Sequence, residues 1–103
     1  ALVLQMRQRP KAEAYTEQNR FGYTASRKVG GAVLRNRAKR RMRALVDTLP
    51  LDLKQQLPQD TDFALIARRA ILDRNFVQLQ KDFLFYYIYQ VKFLLKLFHY
   101  NIP

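Results

Sequence analysis

The stretch RFGYTASRKVGGAVLRNRAKRRMR, Arg20 to Arg43, sets an alternating segment against a helical one across a glycine pair. In Arg20–Arg27, Phe21, Tyr23 and Ala25 fall on one face and Gly22, Thr24 and Ser26 on the other, the period of a strand. Gly30-Gly31 breaks that strand. From Ala32 to Leu49 the apolar positions Leu34, Ala38, Met42, Leu45 and Leu49 recur every three or four residues, which predicts a helix with basic residues on its remaining arc. Pro50 closes it. Strand, glycine turn and basic helix form one unit.

That unit carries nine Arg or Lys residues, and the window from Gln18 to Val46 contains no acid. Like charges so crowded require a partner that offsets their repulsion: nucleic acid, an anionic membrane or an acidic protein. Nucleic acid fits best, because Arg35, Arg37, Lys39, Arg40, Arg41 and Arg43 lie within about two and a half helical turns. The net charge of +11 is uneven, with twelve basic and two acidic residues in 1–46 against seven and six in 47–103. The first half is expected to meet the anion and the second to complete the fold.

Working outward, Leu2, Leu4 and Met6 alternate with Gln5 and Arg7, which predicts a half-buried strand over residues 1–8. Arg9–Asn19 reads as a loop, Leu51–Leu57 as a short helix stopped by Pro58, and Thr61–Ala67 as a buried strand. Asp73 or Asn75 caps a final helix whose stripe includes Phe76, Leu79, Phe83 and Tyr87. The order β-β-α-(α)-β-α predicts an α/β (α+β) sandwich, one small sheet covered by helices, as a single domain over 1–103. Phe83–Ile102 is rich in apolar and aromatic residues, but Gln90, Lys92, Lys96 and His99 interrupt it. About 18 uninterrupted apolar residues would be needed to span a membrane. An amphipathic helix is expected instead, with no membrane partner. The 49% apolar content is globular, and the absence of cysteine fits a reducing, cytoplasmic setting. The opening on Ala1 predicts that residues upstream have been trimmed.

Ser26–Arg43 resembles the protein subunit of bacterial ribonuclease P. That family carries a Ser-basic-Lys-x-Gly turn, here Ser26-Arg27-Lys28-Val29-Gly30, followed by an "RNR" helix, here Arg35-Asn36-Arg37-Ala38-Lys39-Arg40 with Arg43 at the expected spacing. The resemblance covers roughly residues 1–85, continuing through Phe63–Ala67, Arg68-Arg69 and a helix entered near Asn75-Phe76. It implies a fold like the second domain of ribosomal protein S5. It also implies a ribonucleoprotein that removes the 5′ leader from precursor tRNA, in which the RNA hydrolyses and the protein assists. Mg²⁺ would then be held mainly by RNA and none by this chain alone. The partners implied are the catalytic RNA and precursor tRNA, with no obligate protein partner. Two features depart from the family: nothing corresponds to its N-terminal aromatic helix, and the 90–103 tail is longer and more apolar than the family needs.

The residues point the same way. Two-metal hydrolysis by protein needs clustered carboxylates, whereas the basic half holds only Glu13 and Glu17, and Asp60 with Asp62 reads as a strand edge. No catalytic residue is expected, nor a metal site. Arg35, Asn36, Arg37, Lys39, Arg40 and Arg43 are expected to contact the catalytic RNA, since an Arg fork bonds a phosphate twice. Asn36 reads equally as a backbone-bonding residue near the helix start. Gly30 and Gly31 are expected to be required by backbone geometry. Phe21 reads as core. Tyr23, Ser26, Arg27 and Lys28 are assigned to the leader by the family's pattern, with Tyr23 stacking bases from an exposed sheet face. The competing readings are a general RNA-binding or ribosome-associated module, and a membrane-surface protein.

Overall fold

A computed structural model of the chain describes residues 1–8, 20–55 and 61–97. The expected loop over 9–19, the end of the short helix, Asp60 and His99 lie outside the described residues. The elements are β1 (Leu2–Gln8), β2 (Arg20–Thr24), α1 (Ala32–Asp47), α2 (Leu51–Gln55), β3 (Thr61–Ala67), a 3-10 turn (Arg69–Leu72) and α3 (Phe76–Leu97). The order β1-β3-β2 puts β3 in the middle of a three-stranded sheet, antiparallel to β1 and parallel to β2.

The register shows why β3 is central. Leu65 pairs with Leu4 on one side and Tyr23 on the other, and Phe63 pairs with Met6 and Phe21. Directly opposed residues share a face, so the apolar positions of all three strands converge on one side. There Thr61, Phe63, Leu65 and Ala67 are buried, whereas Asp62, Ala64 and Ile66 on the other side are half-buried. Among the described residues, the helices pack on this first face. Phe21 and Phe63 stack with centroids 5.0 Å apart, and Phe63 meets Tyr87 of α3 at 5.4 Å. Phe21 is therefore a core-packing residue, as the sequence suggested.

α1 seats Ala38, Met42, Leu45 and Val46 in the core. Leu34, expected in that seam, is instead 37% exposed, because it lies a turn ahead of the point where α1 reaches the sheet. It leans over Gly30, where a Cβ would stand 2.5 Å from Leu34 Cδ1 and where φ is +146°. Gly30 is required on both counts. Gly31 is not: its φ is −70° and a Cβ there would meet nothing within 4 Å. α1 ends where Thr48 donates its hydroxyl to the Leu45 carbonyl at 2.6 Å, with Pro50 two residues on. β2 is shorter than expected, ending at Thr24.

The 3-10 turn, which carries no periodic signal, buries Ile71 and Leu72. Asn75 rather than Asp73 caps α3: its side-chain oxygen accepts from the amides of Val77 (2.8 Å) and Gln78 (3.3 Å). α3 runs as one helix through part of the stretch read as an atypical tail. Val91 is buried, and Gln90 donates its amide to the Leu4 carbonyl of β1. Among the described residues no helix is long and apolar enough to cross a membrane.

Candidate nucleic-acid interface

The candidate site begins at the end of β2, where the chain must reverse into α1. Val29 donates its amide to the Ser26 carbonyl at 3.0 Å, Gly30 donates to that of Arg27 at 3.1 Å, and the Ser26 hydroxyl accepts the Lys28 amide at 3.3 Å. Val29 is buried and anchors the turn. Arg27 and Lys28 are thereby held out in solvent. Ser26 shapes the turn that presents them.

α1 sorts its cations by the face each occupies. Asn36, Arg40 and Arg43 follow at intervals of four and three and are exposed, with Arg37 exposed on the adjoining flank. Arg35 and Lys39 are half-buried closer to the sheet. Arg41 serves the fold: it donates to the Arg74 carbonyl, and its guanidinium lies 5.9 Å from the Phe76 ring centroid. Asn36 is exposed, on the same ridge as Arg40. The first turn of α1 has no acid, and no side chain caps its amides. Its positive N-terminal end thus adds to the cationic surface.

Tyr23 corrects one expectation. The sheet face open to solvent carries Gln5, Arg7, Arg20 and Thr24, whereas Tyr23 lies on the helix-covered face, in register with Leu65. On edge strand β2 its ring is half-buried, with the Arg43 guanidinium 5.3 Å from its centroid. Burial raises the phenol's pKa and Asp47 adds to the rise, while Arg43 opposes it. The phenol stays neutral and its ring seats Arg43. Turn and RNR helix are therefore linked through β2 as well as through the chain.

The exposed sheet face was expected, but not which residues line it. Arg20 reaches across it to Asp62 with two hydrogen bonds of 2.8 and 2.7 Å, a pairing 42 residues apart that no local pattern signals. Asp62 is thus engaged by an arginine, and Asp82 by Arg74 at 2.8 Å. Among the described residues no group of three His, Cys, Asp or Glu side chains is placed to hold a metal ion.

Fold and surface define a small α+β protein with one cationic helix face fed by a structured basic turn. The family model for ribonuclease P matches residues 1–87. The ribonuclease P protein component of Syntrophomonas wolfei is 37% identical over 68 residues, covering 66% of this chain and 54% of that protein. That of Erythrobacter litoralis is 43% identical over 63 residues, covering 61% and 50%. The chain thus spans about half the length of the curated relatives it matches. A solved mutant of the Staphylococcus aureus RNase P protein superposes with a TM-score of 0.57 at 26% identity, covering 92% of this chain and 69% of that one. The Thermotoga maritima RNase P protein, solved with 1-(4-fluorophenyl)-2-thiourea, shares the fold at a TM-score of 0.56 and 23% identity. This chain belongs to the ribonuclease P protein family.

Proposed function

We propose that the protein is the RNA-binding subunit of ribonuclease P and assists a catalytic RNA in removing the 5′ leader from precursor tRNA in the cytoplasm. The observation that carries this reading is the sorting of the α1 cations. Arg41 is turned to the fold, while Asn36, Arg37, Arg40 and Arg43 form an exposed ridge, flanked by Arg35 and Lys39. A rigid ridge of Arg forks suits the fixed phosphates of a folded RNA, because each fork bonds a phosphate in a defined plane. The turn supplies the second contact: Arg27 and Lys28, held out by the turn that Ser26 shapes and joined by the half-buried Tyr23 beside Arg43, would meet the leader of the precursor.

Hydrolysis is assigned to the RNA, and the Mg²⁺ that supports it to RNA phosphates. Of the described carboxylates, Asp62 and Asp82 are paired with arginines, and Asp47, Asp52 and Asp73 form no group of three with other acids or His. The protein contributes positive charge, which lowers the repulsion between two RNAs brought together. Reconstitution tests this. Adding the protein to the catalytic RNA should lower the Mg²⁺ concentration needed for leader cleavage. An unchanged requirement, with RNA binding intact, would favour a general RNA-binding module. Within the particle, Arg27→Ala with Lys28→Ala should weaken binding of precursor tRNA while leaving mature tRNA nearly unaffected. Equal losses for both would remove the turn from the leader site.

A further inference from the structure

On its outer side α3 carries one exposed ring per turn. Phe85 and Tyr89 are each 67% exposed and Phe93 is 57% exposed. A spacing of four residues sets successive rings about 6 Å apart along the axis. Tyr86 widens the strip, its ring edge-on to Phe85 at 6.1 Å. Lys81 and Lys92 are exposed on this helix, Lys81 one turn before Phe85 and Lys92 between Tyr89 and Phe93 in sequence. The helix's single acid, Asp82, is already paired with Arg74. The core does not need these rings: α3 packs through Leu79, Phe83, Tyr87 and Val91, none more than 5% exposed. Large apolar groups held in water along one line mark a binding surface.

We propose that this face of α3 binds single-stranded RNA, bases stacking on Phe85, Tyr89 and Phe93 and phosphates meeting Lys81 and Lys92. Charge selects the occupant. A second copy of a chain of net charge +11 is repelled, whereas a polyanion is drawn to it. Exposed rings with a cation near either end of the row match the two parts of a nucleotide strand, and stacking on aromatics tolerates any base. An anionic membrane would need a broad apolar arc opposite its cations, whereas here Lys81 and Lys92 lie along the same side of α3 as Phe85, Tyr89 and Phe93. The strip lies on a different helix from the RNR ridge. Tyr89, Lys92 and Phe93 also lie beyond residue 87, where the family match ends. It goes beyond the proposed subunit role and adds a second RNA surface to the same chain.

The test uses the whole chain and a fluorescein-labelled oligouridine too short to fold. Phe85→Ser, Tyr89→Ser and Phe93→Ser together should weaken its binding about tenfold or more. Lys81→Gln with Lys92→Gln should weaken it several-fold without touching any packed side chain. Photocrosslinks to uridine should map to the peptide containing these rings. Arg40→Ala with Arg43→Ala, measured on the catalytic RNA, tests the other surface separately, so each reading can fail alone. Unchanged oligouridine binding in both α3 variants overturns the proposal. So does a triple variant that keeps oligouridine binding but loses co-sedimentation with phosphatidylserine vesicles, or that keeps it and turns a dimer into a monomer in sedimentation.

Discussion

Gly30 is the residue on which the geometry of the site turns. Its φ of +146° and the packing of Leu34 over it leave no room for a Cβ, whereas Gly31 stands in open space. Gly30→Ala should cost about 2 kcal/mol or more of fold stability, and Gly31→Ala less than about 1 kcal/mol, the loss of a modest N-cap. Chemical denaturation of the pair checks this, and equal costs would contradict it. Tyr87 gives a second residue-scale prediction. It is fully buried, its hydroxyl donates to the Leu53 carbonyl at 3.3 Å, and burial raises its pKa well above the ordinary 10.0. The unfolded chain releases this proton near pH 10 and the folded chain does not, so the unfolded state binds fewer protons there and stability falls as pH rises past 10. Tyr87→Phe should remove that part of the alkaline loss, costing about 1 kcal/mol at neutral pH for the hydrogen bond. A variant that loses stability above pH 10 as steeply as wild type would show that another group titrates.

At the scale of elements, α1 divides its cations between fold and surface. Arg41→Ala should lower the melting temperature, because it ties α1 to Arg74 and Phe76, and leave RNA affinity nearly unchanged. Arg37→Ala with Arg40→Ala should do the reverse, since both side chains are exposed. The two variants, melted and titrated with RNA, must show opposite losses. Much of this was legible in the chain. β1 follows its alternation, β3 was legible as a compact apolar run, and α1 follows its three-and-four spacing except that Leu34 is exposed and the helix stops at Asp47, short of Leu49. The 3-10 turn was not legible, because four residues have no period to read. Nor was the division between Arg41 and Arg40, which depends on where α3 begins, nor the side of the sheet on which Tyr23 lies. Alternation separates the two faces of a strand but does not say which one the helices will cover. The run of α3 past Tyr89 follows the amphipathic helix expected there, but what it packs against was not legible, since the burial of Val91 and the bond from Gln90 to Leu4 of β1 are tertiary.

At the scale of the whole molecule, one face gathers charge while the other elements close a core around Phe63, Met42, Leu45, Phe83 and Tyr87. This arrangement predicts that assembly with RNA is governed by released counterions. The most direct measurement is the affinity for the catalytic RNA as a function of salt, in wild type and in the Arg37→Ala, Arg40→Ala, Arg43→Ala variant. Wild type should show a steep negative log–log slope, about −0.7 to −0.9 for each phosphate neutralised, and the triple variant a slope shallower by about two to three units. A wild-type slope near zero, or a variant with the same slope and affinity as wild type, would contradict the assignment of the α1 ridge to RNA.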